Sequence, residues 1–217
     1  MLRRTVQLFV GFALLTLVSL HAQYPQPAAS AQTRTAKVAT AMKKPAAQKL
    51  SNAIALAMSA GAAAITTNAT IIGCGGASCA DMNEMANGQK QLRAGTNGWV
   101  CYALRDGPMC LDKEWRKWME AWMSKSEPKI EGTGIAYMLR GDTGASNTDP
   151  FAMARSASNQ WVVAPPHIMV LFQDPKMLDA YSTDPKNGGP WVMWKGTPYA
   201  HVMVPVSTTK AATMSSK

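Results

Sequence analysis

The strings Pro166-His167-Ile168-Met169-Val170 and Ala200-His201-Val202-Met203-Val204 repeat one arrangement: a histidine and a methionine two residues apart inside an apolar run. Residues two apart on a β-strand share a face, so each string would present an imidazole beside a thioether. If the two strands are neighbours, His167, Met169, His201 and Met203 form one patch, with adjacent Cβ atoms about 5 Å apart. Imidazole with thioether suits a soft metal, copper(I) above all. The plainer use of the same residues is core, with each histidine satisfied by one hydrogen bond and the methionines filling apolar space.

A second group lies in Arg140 to Pro150, a loop dense in small polar residues. Such residues favour tight turns closed by side-chain to backbone bonds. Asp142, Asn147 and Asp149 are also candidate ligands for a cation or a polar molecule, although their spacing is not that of an EF-hand calcium loop. A hydrolytic triad of Ser146, His167 or His201, and Asp142 or Asp149 can be written down, but a triad is defined by geometry, not composition. The chain has no G-x-S-x-G, H-E-x-x-H or C-x-x-C-H string. Gly73-Cys74-Gly75-Gly76 lacks the Lys-Ser/Thr of a phosphate loop and reads as a turn.

The elements that must position these residues follow from periodicity. Leu50, Ile54, Met58, Ala62 and Ile65 recur at helical spacing and predict a helix from Leu50 to about Thr66, weakened at Gly61. Asp112 is a suitable N-cap with Glu114 in the first turn. The helix it starts carries Trp115, Trp118, Met119 and Trp122 on one face and ends before Pro128. The three tryptophans are a packing face with a large area to bury, or a surface for a flat ligand. Strands are expected near Ala69, at Trp99 to Leu104, Gly134 to Leu139, Gln160 to Ala164, His167 to Phe172, Trp191 to Trp194 and Tyr199 to Val206. Asp174-Pro175 starts a short helix to about Tyr181. The pattern predicts an α+β fold: an antiparallel or mixed sheet, with strands near Trp99, Ile135, Val162, Ile168 and Val202, and the helices packed on one face.

Residues 1–22 have the layout of a secretory signal peptide, with Arg3 and Arg4 before an uncharged run and Ala22 at the expected cleavage point. No later segment is long and apolar enough to span a membrane. Residues 23–49, rich in Ala, Pro, Gln, Thr and Lys, read as a flexible basic linker. Residues 50–206 form a single globular domain and 207–217 a polar tail. Export to the periplasm or beyond is the expected destination. Cys74, Cys79, Cys101 and Cys110 would be oxidised there. Sequence proximity favours bridges Cys74 to Cys79 and Cys101 to Cys110, while a four-thiolate zinc site is the alternative, without the usual paired spacing.

The net charge of +9 does not describe the domain. Of the 22 basic residues, nine fall in the signal, the linker or the tail, so residues 50–206 hold 13 basic residues against all 13 acidic ones. A formally neutral domain lacks the phosphate-neutralising excess that drives nucleic-acid binding.

Leu92 to Trp99, Gly134 to Leu139 with Gly144 to Pro150, and Gly188-Gly189-Pro190-Trp191-Val192-Met193-Trp194-Lys195-Gly196-Thr197-Pro198-Tyr199-Ala200-His201 resemble a group of uncharacterised bacterial exported proteins. The resemblance spans about Leu92 to Val206. It implies export and a bacterial source, and it brings no activity and no catalytic residue. The expectation is therefore an exported binding or interaction module without catalysis. A periplasmic copper-binding protein is the alternative, and an exported hydrolase the second alternative.

Overall fold

The structure, a computed structural model, describes residues 29–206. The expectations for residues 1–22 and 207–217 lie outside the described residues. The described residues 41–206 belong to one compact unit and the described residues 29–40 to another. The latter are helical.

Helix α1 (Ala29–Met58) begins well before Leu50. Residues 29–49, read as flexible linker, are helical because Ala, Lys, Gln and Met are all strong helix formers even where no apolar face exists. The helical pattern beyond Met58 breaks at Gly61 and resumes as α2 (Ala63–Thr66). Strand β1 (Thr70–Cys74) follows, then α3 (Met82–Gly88), β2 (Gln89–Arg93), β3 (Val100–Tyr102) and β4 (Met109–Leu111). Helix α4 (Lys113–Met123) is capped by Asp112, whose carboxylate accepts from the Trp115 and Ile135 backbone N–H groups. After it come β5 (Gly134–Met138), β6 (Ala145–Ser146), β7 (Trp161–Val162), β8 (His167–Leu171), a 3-10 helix (Pro175–Ala180), β9 (Trp191–Met193) and β10 (His201–Pro205).

Eight strands form one mixed sheet in the order β2-β1-β3-β4-β5-β8-β10-β9. The β1–β3 pair is parallel and the other pairs are antiparallel. Fold class is thus α+β with the sheet dominant. Two expectations are corrected. The strand near Val162 is not in the main sheet; it pairs with β6 as a separate two-stranded ribbon. Nor do the helices share one face. On β4, Cys110 packs with Ala53 and Ala57 of α1, while its neighbour Leu111 packs with Trp115 and Trp118 of α4. Successive strand residues point to opposite faces, so the two helices cover opposite sides. Central strands buried on both faces need both covers.

Disulfides join Cys101 to Cys110, a cross-strand pair under α1, and Cys74 to Cys79, which closes the turn after β1. Such bridges fit an oxidising, extracytoplasmic compartment. No described helix is long and apolar enough to cross a membrane.

Candidate functional site

The two His-x-Met strings occupy adjacent strands. β8 and β10 pair antiparallel with Met203 opposite Met169 and Pro205 opposite His167. On β8 the residues His167, Met169 and Leu171 are buried and alternate with the half-buried Ile168 and Val170. His201 and Met203 lie on that same inward face, since Val202 and Val204 pack in the cluster on the other side. All four side chains line one cavity of about 450 Å³.

Antiparallel register sets their order. His167 pairs with Met138 of β5 at one end, and His201 pairs with Met193 of β9 at the other. The four-residue offset places the two histidines roughly 13 Å apart along the strand direction. The two histidine backbones therefore flank the Met169–Met203 pair, while both rings line the same cavity.

Both imidazoles are anchored in the same way. His167 Nδ1 lies 2.7 Å from the Pro165 carbonyl, and His201 Nδ1 lies 3.0 Å from the Tyr199 carbonyl. A carbonyl only accepts, so each Nδ1 carries the proton and each Nε2 is left with a lone pair. His167 is fully buried, and its Nε2 has no partner among the described residues. Burial holds both rings neutral, with pKa values pushed down to about 4; the bonds to Pro165 and Tyr199 oppose that shift, and for His201 the neighbouring His167 adds to it.

Helix α4 supplies the opposite wall. Trp115 and Trp118 are buried on its inward face, and both line the cavity. Around His201 three indoles make edge-on contacts: Trp194 at 5.1 Å, Trp115 at 5.3 Å and Trp118 at 5.6 Å between ring centres. Trp118 and Trp194 are nearly parallel at 5.7 Å, and Trp122 continues the row at 6.5 Å from Trp194. The stripe is at once packing face and cavity wall. Three indole N–H groups are tied down: Trp115 to Met169 O, Trp122 to Pro150 O and Trp194 to Ser146 O. Trp118 Nε1 is buried without a partner among the described residues. Eight methionines complete the lining, Met169, Met193 and Met203 among them, giving a polarizable surface that adapts to varied shapes.

The loop residues separate into different tasks. Asn147 is buried and fully used: its amide donates to Gln160 Oε1 and Thr183 O and accepts from Trp191 Nε1, while its carbonyl accepts from Trp194 N. It clasps the loop to β9 and helps hold Trp194 in a left-handed conformation, φ 57°, which costs a non-glycine residue energy that surrounding bonds must cover. Asp149 caps a local turn through Phe151 N and is exposed at the cavity rim. Asp142 is half-buried; one carboxylate oxygen accepts from Gly144 N and Ala164 N. Burial raises its pKa to about 6 against the lowering effect of those two bonds. So the three do not converge as a ligand set.

Ser146 Oγ accepts from Thr148 N and Asp149 N and makes no bond to either histidine or to Asp142, which gives the hydrolase expectation no nucleophile–base pair. Among the described residues no three His, Cys, Asp or Glu side chains cluster as metal ligands, and no cysteine is free.

Asp106, Met193 and Trp194 belong to the cavity but were not expected there. Asp106 reads in sequence as a turn residue in Asp106-Gly107-Pro108. Met193 and Trp194 lie in a string read only as a short strand, although Trp191-Val192-Met193 repeats the two-residue alternation of the His-x-Met strings. No protein-family model, curated protein or solved structure matches the chain.

Proposed function

We propose that this is an exported, non-catalytic binding protein whose cavity takes a small, flat, largely apolar molecule bearing a hydrogen-bond donor. The observation that carries the reading is His167 Nε2, a fully buried acceptor with no partner among the described residues, on a cavity of about 450 Å³. Leaving such an atom unpaired costs about 1–3 kcal/mol, and a ligand N–H or O–H removes that cost. Pockets of this size, mostly apolar with a few polar groups, are the usual form of small-molecule sites. Absence of a nucleophile–base pair supports binding over hydrolysis. Two disulfides support export.

Isothermal titration calorimetry with indole and with 1-methylindole tests it. Indole, which keeps the N–H, is expected to bind at least tenfold tighter. Absence of a binding heat and of a melting-temperature shift with both overturns the reading.

Copper(I) binding is a second reading, favoured by one specific arrangement. Donation of each Nδ1–H to a backbone carbonyl is how metal-binding imidazoles are commonly oriented, and here it leaves both Nε2 atoms as acceptors on rings that line the same cavity as Met169 and Met203. Competition against bathocuproine disulfonate reads it: retention of Cu(I) abolished by His167→Ala with His201→Ala supports the site, and no retention removes it.

A further inference from the structure

We propose that the cavity's ligand is a small organic cation, a protonated aralkylamine that carries both a positive charge and N–H donors, seated between the indole row and the Asp106–Asp142 wall. The inference rests on the small-molecule reading above and names the class of molecule.

Charge in the domain is not distributed evenly around this space. Four of the thirteen acidic residues line the cavity, Asp81, Asp106, Asp142 and Asp149, and no lysine or arginine does. Both histidines are neutral, so nothing basic on the lining offsets those carboxylates. The salt bridges among the described residues tie Lys117 to Glu114 and Glu131, and Lys195 to Asp179, leaving Asp106 and Asp142 out. The two segments meet: Thr143 N donates to Asp106 O, and a Cβ placed on Gly107 would fall 3.2 Å from the Asp142 Cβ. Asp142 spends one oxygen on backbone N–H groups, and no described donor reaches the other. Burial raises the pKa of both carboxyls, and for Asp106 the charges of Asp81 and Asp142 raise it further while Arg105 lowers it. A bound cation is the partner that would reverse that shift.

Aromatic walls point the same way. The faces of an indole carry negative potential, and cations rest on them within about 6 Å of the ring centre. Trp115, Trp118, Trp122 and Trp194 all line the cavity, with Trp118, Trp194 and Trp122 stacked on one another. The aromatic row already attracts an ammonium at its far end, where Lys125 Nζ lies 5.4 Å from the Phe151 ring centre. Phe151 stacks on Trp122, yet neither Lys125 nor any other described lysine or arginine lines the cavity. The vacant acceptors, His167 Nε2 and the Asp142 oxygen, ask for donors or positive charge. An anion would meet uncompensated carboxylates, and bare metal ions lack a converging set of hard ligands.

The test compares benzylammonium with benzyl alcohol, its neutral isostere that keeps a donor, by tryptophan fluorescence on the full chain at pH 7.5. The cation is expected to bind at least tenfold tighter. Asp142→Asn and Asp106→Asn are each expected to erase most of that preference, and an unchanged circular dichroism spectrum shows that the variants fold. Equal binding of the two probes overturns the cation inference and leaves the cavity reading intact. Binding of neither probe, with indole also inert, overturns both.

Discussion

His167 gives its Nδ1 proton to the carbonyl of Pro165 at 2.7 Å, and the bond determines what the ring offers the cavity. With Nδ1 committed, Nε2 is an acceptor in a place that no water-exposed surface reaches. A residue kept for packing alone would not need that unpaired atom. His167→Leu should therefore change the unfolding free energy by less than about 1 kcal/mol, because losing the Pro165 bond is offset by removing a stranded acceptor. A core truncation costs about 2–5 kcal/mol. Urea denaturation measures it, and a loss in the core-truncation range would mark the ring as structural.

Acid should destabilise the fold below the ordinary histidine range. Both imidazoles have pKa values lowered to about 4, so between pH 6.5 and 4 the unfolded chain binds more protons than the folded one. Stability then falls as pH falls, by about 3 kcal/mol for each ring at roughly 1.4 kcal/mol per pKa unit. Asp142, raised to about 6, acts in the opposite sense over nearly the same window and returns about 3 kcal/mol. Asp106, also raised, adds to that return. Urea melts from pH 8 to pH 4 should show a net loss, and a curve flat to pH 4.5 would contradict the neutral histidine pair.

Asp142→Asn should raise stability at pH 8 and leave it little changed at pH 4.5. At pH 8 the substitution removes a half-buried carboxylate that burial disfavours, while the amide oxygen still accepts from Gly144 N and Ala164 N. At pH 4.5 the native carboxyl is already largely protonated, so little is gained. A variant less stable at pH 8 than the parent would show that the ionised carboxylate has a partner in the fold.

Asn147→Ala should cost about 3 kcal/mol, since it strands Trp191 Nε1 and removes the clasp between the loop and β9. Because Trp194 is held in its left-handed backbone by the same loop, the variant's tryptophan emission should move to the red as the indole row loosens. Unchanged emission together with unchanged stability would contradict this role.

Much of this arrangement was legible before any coordinates, and the rest was hidden for physical reasons. Asp112 as N-cap and the Trp115-Trp118-Met119-Trp122 face follow from local chemistry, and so do the strands at His167 and His201, whose alternation is set by burial. β2 was hidden because Gln89 to Arg93 is a largely exposed edge strand with no apolar alternation. α1 was hidden upstream of Leu50 because alanine-rich sequence has helix propensity without amphipathic pattern. That α1 and α4 lie on opposite faces depends on which of Cys110 and Leu111 meets which helix, a tertiary fact with no local signal. The cavity was half legible. The His-x-Met strings pointed to one patch, but antiparallel register, which separates the two histidine backbones, and the arrival of Asp106 and Trp194 depend on long-range pairing.

Nitrogen NMR of protein labelled with 15N-histidine addresses the binding claim most directly, because the Nε2 resonance of His167 distinguishes a bare imine nitrogen from one accepting a hydrogen bond. Without ligand the bare-nitrogen position is expected. On addition of indole it should move toward the hydrogen-bonded position, and 1-methylindole should leave it in place. A resonance unmoved by indole at saturating concentration, or one already hydrogen-bonded in the free protein, would contradict a cavity organised around that acceptor.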